Sequence, residues 1–504
     1  MPHTKRGEAT VPTDVFARLA EQGAVIRALC SDSRRCAPGT AFFAYPGESV
    51  DGRAFIHDAI GRGAAAVVWE SEGWHWPAAQ TAPNAGVRGL RDAAGFLADA
   101  FHAHPSAALW TCGVTGTNGK TSCVHWIAGA LEAADARAGV IGTLGNGRFG
   151  ALEAGVNTTP DALALHQLLE SMRRGGAHAV AMEVSSHGLV QGRVNGVAFD
   201  CALFTNLSHD HLDYHGSMEA YAAAKMRLFD MPGLRTAVLN MDDVLGVRIA
   251  QHLAGRGVRT IGYTLSEAAV APGSTDDFLA VRALRFEGER MHAQLVSSWG
   301  EAELRLAQLG RFNLSNALGV LGCLIDYGFG FRDAVARLAT LPEVPGRMQR
   351  LGGGAQAPLV VVDYAHSPDA LEKVLQALRP LAQARKGALT VVFGAGGERD
   401  AAKRPLMGAV AARLADRIVL TSDNPRGEDP GAILEAIRAG ISRDCVMAPD
   451  RAQAIVDTVA GAAIADVVLI AGKGHEAWQE IAGARVAFSD VEAAHAALER
   501  RAAR

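Results

Sequence analysis

At 504 residues the chain exceeds what one hydrophobic core organises, and the usual domain size of about 100–200 residues implies about three domains. Lys and Arg total 49 against 53 Asp and Glu, a formal net charge of -4, which excludes a global field that gathers nucleic acid or an anionic membrane. Seven cysteines without a C-x-x-C pair exclude a zinc spacing or disulfide framework, no run reaches the about 20 apolar residues of a membrane helix, and Met1 to Thr13 lacks an apolar signal core, so the composition reads as a cytoplasmic enzyme.

The first hundred residues hold a loop-rich segment over 31–52, with Asp32-Ser33-Arg34 and Pro46-Gly47, and then a buried-strand run over 63–70. This predicts a small α/β domain, 1–105, that ends at a His/Pro/Ser joint. An apolar segment over 107–111 then leads into Gly113-Val114-Thr115-Gly116-Thr117-Asn118-Gly119-Lys120-Thr121-Ser122, and a helix is predicted over 123–134. That run is a phosphate-binding loop: glycines turn backbone N–H groups toward phosphate oxygens, Lys120 adds a mobile positive charge, and the Thr121 hydroxyl suits Mg²⁺ at a helix N-terminus. It is a variant of the strict pattern, with Val114 where glycine is usual and glycines at 113 and 116.

From here short apolar runs alternate with amphipathic segments. Strands are predicted over 179–184, 201–205 and 237–240, and helices over 161–173 and 218–229, the rhythm of a mostly parallel sheet covered by helices. The first of these strands ends in Glu183, at the sheet edge where ligands sit in open α/β folds, and its carboxylate suits Mg²⁺. The loop Thr205-Asn206-Leu207-Ser208-His209-Asp210-His211-Leu212-Asp213-Tyr214-His215 crowds histidines and aspartates without a zinc-finger or H-E-x-x-H spacing, and fits a histidine assisting a second Mg²⁺ better than a zinc site. Lys225, on a helix of small apolar residues, reads by itself as a surface lysine. A β-rich excursion over 265–303 and a helix from about Asn313 close a central domain, 106–342.

Two prolines and a glycine in Leu341-Pro342-Glu343-Val344-Pro345-Gly346 mark the second joint. Strands predicted over 359–363, 388–393, 417–421 and 466–471 and helices over 368–378, 404–415, 430–439 and 451–462 make 343–504 a Rossmann-like domain. It lacks the G-x-G-x-x-G fingerprint, so no dinucleotide is indicated.

Several of these stretches, with Asn157-Thr158-Thr159-Pro160, Gly310-Arg311-Phe312-Asn313, Gly346-Arg347-Met348, Asp363-Tyr364-Ala365-His366, Asp423-Asn424-Pro425-Arg426 and Gly472-Lys473-Gly474-His475-Glu476, resemble the Mur ligases over nearly the whole chain. These are ATP-dependent acid–amino-acid ligases of peptidoglycan precursor synthesis, serving cell shape and division. The branch that adds the third residue, the MurE type, fits best. The resemblance implies a three-domain α/β protein: a UDP-binding domain, a P-loop ligase domain and an amino-acid-binding Rossmann-like domain. It implies a monomer that binds ATP, UDP-N-acetylmuramoyl-L-alanyl-D-glutamate and meso-diaminopimelate, without nucleic acid or membrane insertion.

By the same likeness Lys120, Glu183, His211 and Lys225 serve catalysis, and Lys225 is carbamylated. Thr121, Glu183, His211 and the Lys225 carbamate hold Mg²⁺. ATP meets Gly116, Thr117, Asn118, Gly119, Lys120, Thr121, Ser122, Asn313, Arg347 and Asp363. The uridine nucleotide and its peptide meet Ser31, Ser33, Glu48, Ser49, Val50, Asn157, Thr158, Thr159, Ser185, Gln191 and Arg193. Arg399, Asp423, Asn424, Pro425, Arg426, Gly472 and Glu476 form the amino-acid pocket, with Glu476 set for an ammonium group. In the family D-N-P-R marks enzymes that add diaminopimelate rather than lysine; a guanidinium offers its second carboxylate a bidentate partner. Ser122 and Glu398 stand where the family usually has Thr and Asp. A lysine-adding Mur ligase, or more distantly a folylpolyglutamate synthase-like ligase, is the alternative.

Overall fold

Buried apolar runs form the strands, and Asp or Ser side chains start many of the helices between them. The computed structural model describes residues 14–48, 50–269, 273–287, 290–354 and 356–502. Contacts gather the chain into two compact units, 1–115 with 131–202 and 223–237, and 116–130 with 203–222 and 238–504.

In the first unit, strands Ala28–Cys30, Thr40–Ala44, Ala66–Glu70 and Asn84–Val87 pair in that order, all parallel. The predicted run over 63–70 becomes a strand only at Ala66, after the turn that leaves helix Ile56–Gly61. Phe43 and Val68 pack there with Leu90, Leu97 and Leu163. Strand Trp110–Thr115 pairs in parallel with Ala179–Glu183, and this with Ala138–Gly142; Gly145–Arg148 and Ala151–Glu153 extend the set antiparallel. The apolar segment expected from 107 is partly a turn: Pro105–Ala108 is a 3-10 helix, and Pro105 at its start favours the helical φ. Helix Ala162–Arg174 starts where Asp161 accepts from the N–H groups of Leu163 and Ala164.

In the second unit, helix Lys120–Glu132 begins at the phosphate-loop lysine itself, earlier than the predicted 123. Strand Arg259–Thr264 pairs in parallel with Asp277–Glu287, followed by the antiparallel strands Arg290–Ser297 and Gly300–Leu306, which is the expected β-rich excursion. Helix Arg311–Tyr327 follows. The helix predicted over 218–229 stops at Met226, its residues from 223 on counted with the first unit, and tightens into the 3-10 turn Arg227–Asp230 just ahead of Pro232.

A six-stranded sheet completes this unit, in the order Gln349–Gly352, Leu359–Asp363, Val467–Ala471, Leu389–Phe393, Arg417–Leu420, Val446–Met447. Only the first strand is antiparallel to its neighbour. The parallel strands therefore deliver their C-terminal loops, which carry His366, Arg399, Asp423 to Arg426 and Gly472 to Glu476, to one edge. The helix predicted to end at 378 runs on as Pro368–Arg385 through Pro380. Buried Leu381 and Ala382 continue its apolar stripe of Leu371, Val374, Leu375 and Leu378, and this packing outweighs the about 3 kcal/mol that an interior proline costs.

Candidate active site

The phosphate loop is fastened to the segment after strand Cys201–Phe204. Thr117 N–H donates to the Asn206 carbonyl over 2.8 Å, Asn118 N–H to Asn206 Oδ1 over 3.0 Å, and Thr205 Oγ1 to the Asn118 carbonyl over 2.6 Å. Gly116 has φ +148°, and a Cβ there would lie 1.9 Å from Thr205 Oγ1, so only glycine lets the two segments meet. Lys120 Nζ donates to the Gly116 and Thr117 carbonyls, each over 2.9 Å. The ammonium is held over the loop where a phosphate chain would lie.

Arg347 reaches Thr121 from the segment after the second joint, Nη2 donating to Oγ1 over 3.2 Å. Asp363 is buried, and burial raises its carboxyl; its two oxygens accept from the N–H groups of Met348 and Ala365 over 2.7 and 2.9 Å. Asn313 Nδ2 donates to the Leu309 carbonyl over 2.8 Å. Asn313, Arg347, Trp126, Leu309 and Met348 line one cavity. Three residues of the expected nucleotide site thus serve this unit, with Asp363 tying down the Arg347–Met348 turn.

Sequence reasoning quoted but did not assign Asp210 and His366, and passed over Lys403. Lys403 Nζ donates to the His366 carbonyl over 2.9 Å. Burial alone would raise Asp210, but the charges of His211, His366 and Lys403 hold its carboxyl below the usual range; burial lowers Lys403. His211 adopts φ +53° and donates its N–H to Asp210 Oδ1 over 2.9 Å. An anion and two basic groups, contributed by two separate loops and the start of helix Lys403–Leu414, form a polar cluster in this unit.

The D-N-P-R loop is a turn closed by Glu428 N–H donating to the Pro425 carbonyl over 3.0 Å. Arg426, at φ +52°, donates its N–H to the Glu480 carbonyl over 2.9 Å, pinning the loop to hairpin Trp478–Ile481 and Ala484–Ala487. Its Nη1 donates to the Gly397 carbonyl over 2.6 Å. A Cβ on Gly396 would lie 3.1 Å from Arg426 Nη1 and 3.7 Å from Arg399 Cγ, so two guanidinium-bearing side chains converge there. Asp423 and Asn424 are buried, and a Cβ on Gly472 would lie 2.5 Å from Asp423 Oδ2. Glu476, expected to face a substrate ammonium, meets one from the chain itself: Lys473 Nζ donates to its Oε2 over 2.8 Å.

The first unit gathers the residues expected at the uridine-peptide substrate. Glu183 is buried and accepts from Thr143 N–H over 2.8 Å and Thr143 Oγ1 over 3.3 Å, a partner no motif announced. Thr143 Oγ1 and Thr158 Oγ1 are 3.0 Å apart, Thr159 Oγ1 donates to the Glu183 carbonyl over 2.8 Å, and Ser185 N–H donates back to Thr159 Oγ1 over 3.0 Å. Arg193 donates to the Thr159 carbonyl over 2.7 Å and through Nε to Gln191 over 2.9 Å. Ser33 is buried, Glu48 pairs with Arg91, and Asn157 and Val50 are exposed; Ser49 lies outside the described residues. Lys225 corrects the surface reading, because only 1% of it is exposed. A lysine so buried needs a polar reason to be there. Among the described residues no helix is long and apolar enough to cross a membrane.

Three family descriptions match along the chain: "Mur ligase family, catalytic domain" over 12–104, "Mur ligase middle domain" over 114–324 and "Mur ligase, glutamate ligase domain" over 346–474. The chain is 51% identical over 481 residues to the UDP-N-acetylmuramoyl-L-alanyl-D-glutamate--2,6-diaminopimelate ligase of Pseudomonas aeruginosa, covering 95% of this chain and 96% of that protein. It is 48% identical over 483 residues to the protein of that name from a Janthinobacterium species, covering 93% of each. A solved structure of a ligase of that name is similar with a TM-score of 0.66 at 35% identity, covering 95% of each chain. A Mycobacterium tuberculosis folylpolyglutamate synthase complexed with ADP and AMPPCP shares the fold at 18% identity and a TM-score of 0.59, over 74% of this chain and 91% of that one.

Proposed function

The chain belongs to the Mur ligase family, and from that premise we propose that it is the ATP-dependent ligase that adds meso-2,6-diaminopimelate to UDP-N-acetylmuramoyl-L-alanyl-D-glutamate. The observation that carries the reading is the 51% identity over 481 residues to a ligase of that name. The pinned Asn424-Pro425-Arg426 turn, with the Arg399 stem beside it at Gly396, supports the choice of amino acid, since a second carboxylate suits a guanidinium partner.

The chemistry follows from the reactants. An amine does not displace oxide from a carboxylate, so an oxygen of the D-glutamyl side-chain carboxylate attacks the γ-phosphorus of ATP. The bond to the bridging oxygen breaks and ADP leaves. The amine then attacks the acyl carbon, and the tetrahedral intermediate collapses with loss of phosphate and an amine proton. Lys120 and the loop N–H groups hold and neutralise the phosphoryl oxygens. Mg²⁺, when bound, supplies further charge neutralisation there. We assign to it Thr121, Glu183, His211 and carbamylated Lys225. Hydroxyl, carboxylate and carbamate oxygens are the hard donors it takes, and burial of Glu183 and Lys225 supports a demand for such charge.

The remaining roles are part of the same proposal. ATP meets residues 116–122, Asn313, Arg347 and Asp363; the uridine-peptide substrate meets Ser31, Ser33, residues 48–50, residues 157–159, Ser185, Gln191 and Arg193. The three-domain division 1–105, 106–342 and 343–504 is supported by family matches that fall within each segment. A cytoplasmic monomer completes the reading.

Phosphate release by the purified protein tests it. Release is expected only when ATP, Mg²⁺, the UDP-linked dipeptide and meso-diaminopimelate are all present; release without the dipeptide, or none with the full mixture, would overturn it.

A further inference from the structure

The loop after strand Val467–Ala471 carries a lysine whose side chain is wholly buried, with 0% exposure. Lys473 Nζ donates to Asn424 Oδ1 over 3.0 Å and to Glu476 Oε2 over 2.8 Å, and lies 5.5 Å from the centroid of the Trp478 ring. It therefore touches two residues of the proposed amino-acid pocket, one on each of two loops, and has no place in the phosphate chemistry.

The bonds around it form a closed set. Asn424 Oδ1 also accepts from Glu480 N–H over 3.0 Å, so the acceptor end of the amide faces two donors. Its Nδ2 then faces Glu476 and donates to Oε2 over 3.0 Å. The network leaves one orientation for the amide, because a flipped Asn424 would set its NH₂ against the Lys473 ammonium and the Glu480 N–H. Glu476 Oε2 receives both an ammonium and an amide donor, while Oε1 accepts no side-chain bond in this network.

Resting on the diaminopimelate reading, we infer that Lys473 is a positioning residue that fixes the Glu476 carboxylate and the Asn424 amide, and thereby sets the affinity for the incoming amino acid. Its ammonium holds the carboxylate through Oε2, and a substrate ammonium is the partner we assign to Oε1. Without it, the carboxylate keeps only the neutral bond from Asn424 Nδ2 and the amide oxygen only the Glu480 N–H, so both are held less firmly. The incoming amino acid then meets groups that must be ordered at the moment of binding, which weakens binding without changing the acyl-phosphate step.

The test is steady-state kinetics of wild type, Lys473→Met, Glu476→Ala and the double variant, with separate KM values for amino acid, ATP and UDP-linked dipeptide. Loss of a charge-assisted bond is expected to raise the amino-acid KM of Lys473→Met by about 10- to 100-fold, with the other two within about twofold. In the Glu476→Ala background the same substitution is expected to raise that KM by a clearly smaller factor than in the wild type, because only the Asn424 partner is left to lose. An unchanged amino-acid KM, a parallel rise of all three, or an equal effect in both backgrounds overturns the inference. Where Lys473→Met does not fold, Lys473→Gln takes its place under the same criteria. Wild-type turnover with meso-diaminopimelate reports on the proposed function by itself. If the wild type prefers another amino acid, the KM comparison is made with that one, and the positioning role stands or falls separately.

Discussion

Arg347 donates through Nη2 to the Thr121 hydroxyl over 3.2 Å, and its guanidinium carbon lies 4.3 Å from the centroid of the Tyr364 ring. The C-terminal half of the second unit thus supplies a fixed cation to the helix start that carries the phosphate loop. Arg347→Ala is expected to raise the KM for ATP by about 10-fold or more, with Arg347→Lys intermediate because it keeps the charge but not the planar fork. Nucleotide titration checks this; equal ATP affinity in all three proteins would remove Arg347 from the nucleotide site.

Gly142 sits against the carboxylate assigned to magnesium. A Cβ at that position would lie 2.4 Å from Glu183 Oε1, so Gly142→Ala must displace the carboxylate or its strand. The Mg²⁺ concentration for half-maximal turnover is expected to rise, and kcat at saturating ATP to fall by about 10- to 100-fold, the scale of a disturbed metal-supporting group. An unaltered magnesium dependence would show that Glu183 acts elsewhere.

Acid sensitivity follows from two buried rings. Burial, and next the charge of Arg347, holds His475 down to about 3 and His125 down to about 4, against a usual histidine value of 6.5. Both folded values are depressed, so the stabilising contribution is complete above 6.5 and is lost as the pH falls from there toward the folded values. The melting temperature is expected to fall on acidification below about pH 6.5, and to fall less steeply in His475→Asn. Parallel melting curves for the two proteins across that window would contradict the assignment.

Arg426 is the specificity test within the proposed function. Arg426→Ala removes one guanidinium partner of the second carboxylate, and the preference for meso-diaminopimelate over L-lysine is expected to shrink by about 10- to 100-fold in kcat/KM. KM for ATP should stay put. Retention of the full preference would assign discrimination to another group.

Local chemistry was legible in the sequence, and long-range chemistry was not. The phosphate loop announces itself because Gly116, Gly119, Lys120 and Thr121 fall together on one short stretch, and helix starts such as those at Asp161, Asp429 and Asp450 carry their caps in place. The Asp210, His366 and Lys403 cluster joins two loops and a helix start far apart in the chain, so spacing gives no hint of it. Thr143 supports Glu183 from 40 residues away. Lys225 reads as a surface residue because lysine usually is one, Lys473 draws no role from its sequence context, and their burial appears only once neighbouring elements close over them. Hairpin Trp478–Ile481 and Ala484–Ala487, whose second strand is exposed along its length, has no apolar alternation to mark it, yet it pins Arg426.

The most direct test of the central claim is a competition measured by mass spectrometry. The purified protein is given ATP, Mg²⁺, UDP-N-acetylmuramoyl-L-alanyl-D-glutamate and equal concentrations of meso-diaminopimelate and L-lysine, and the product is weighed. The diaminopimelate-containing UDP-tripeptide is expected as the dominant product, formed in step with ADP and phosphate. A lysine-containing product would keep the ligase and contradict the specificity assigned to Arg426, and ADP formation without any UDP-tripeptide would contradict the ligase itself.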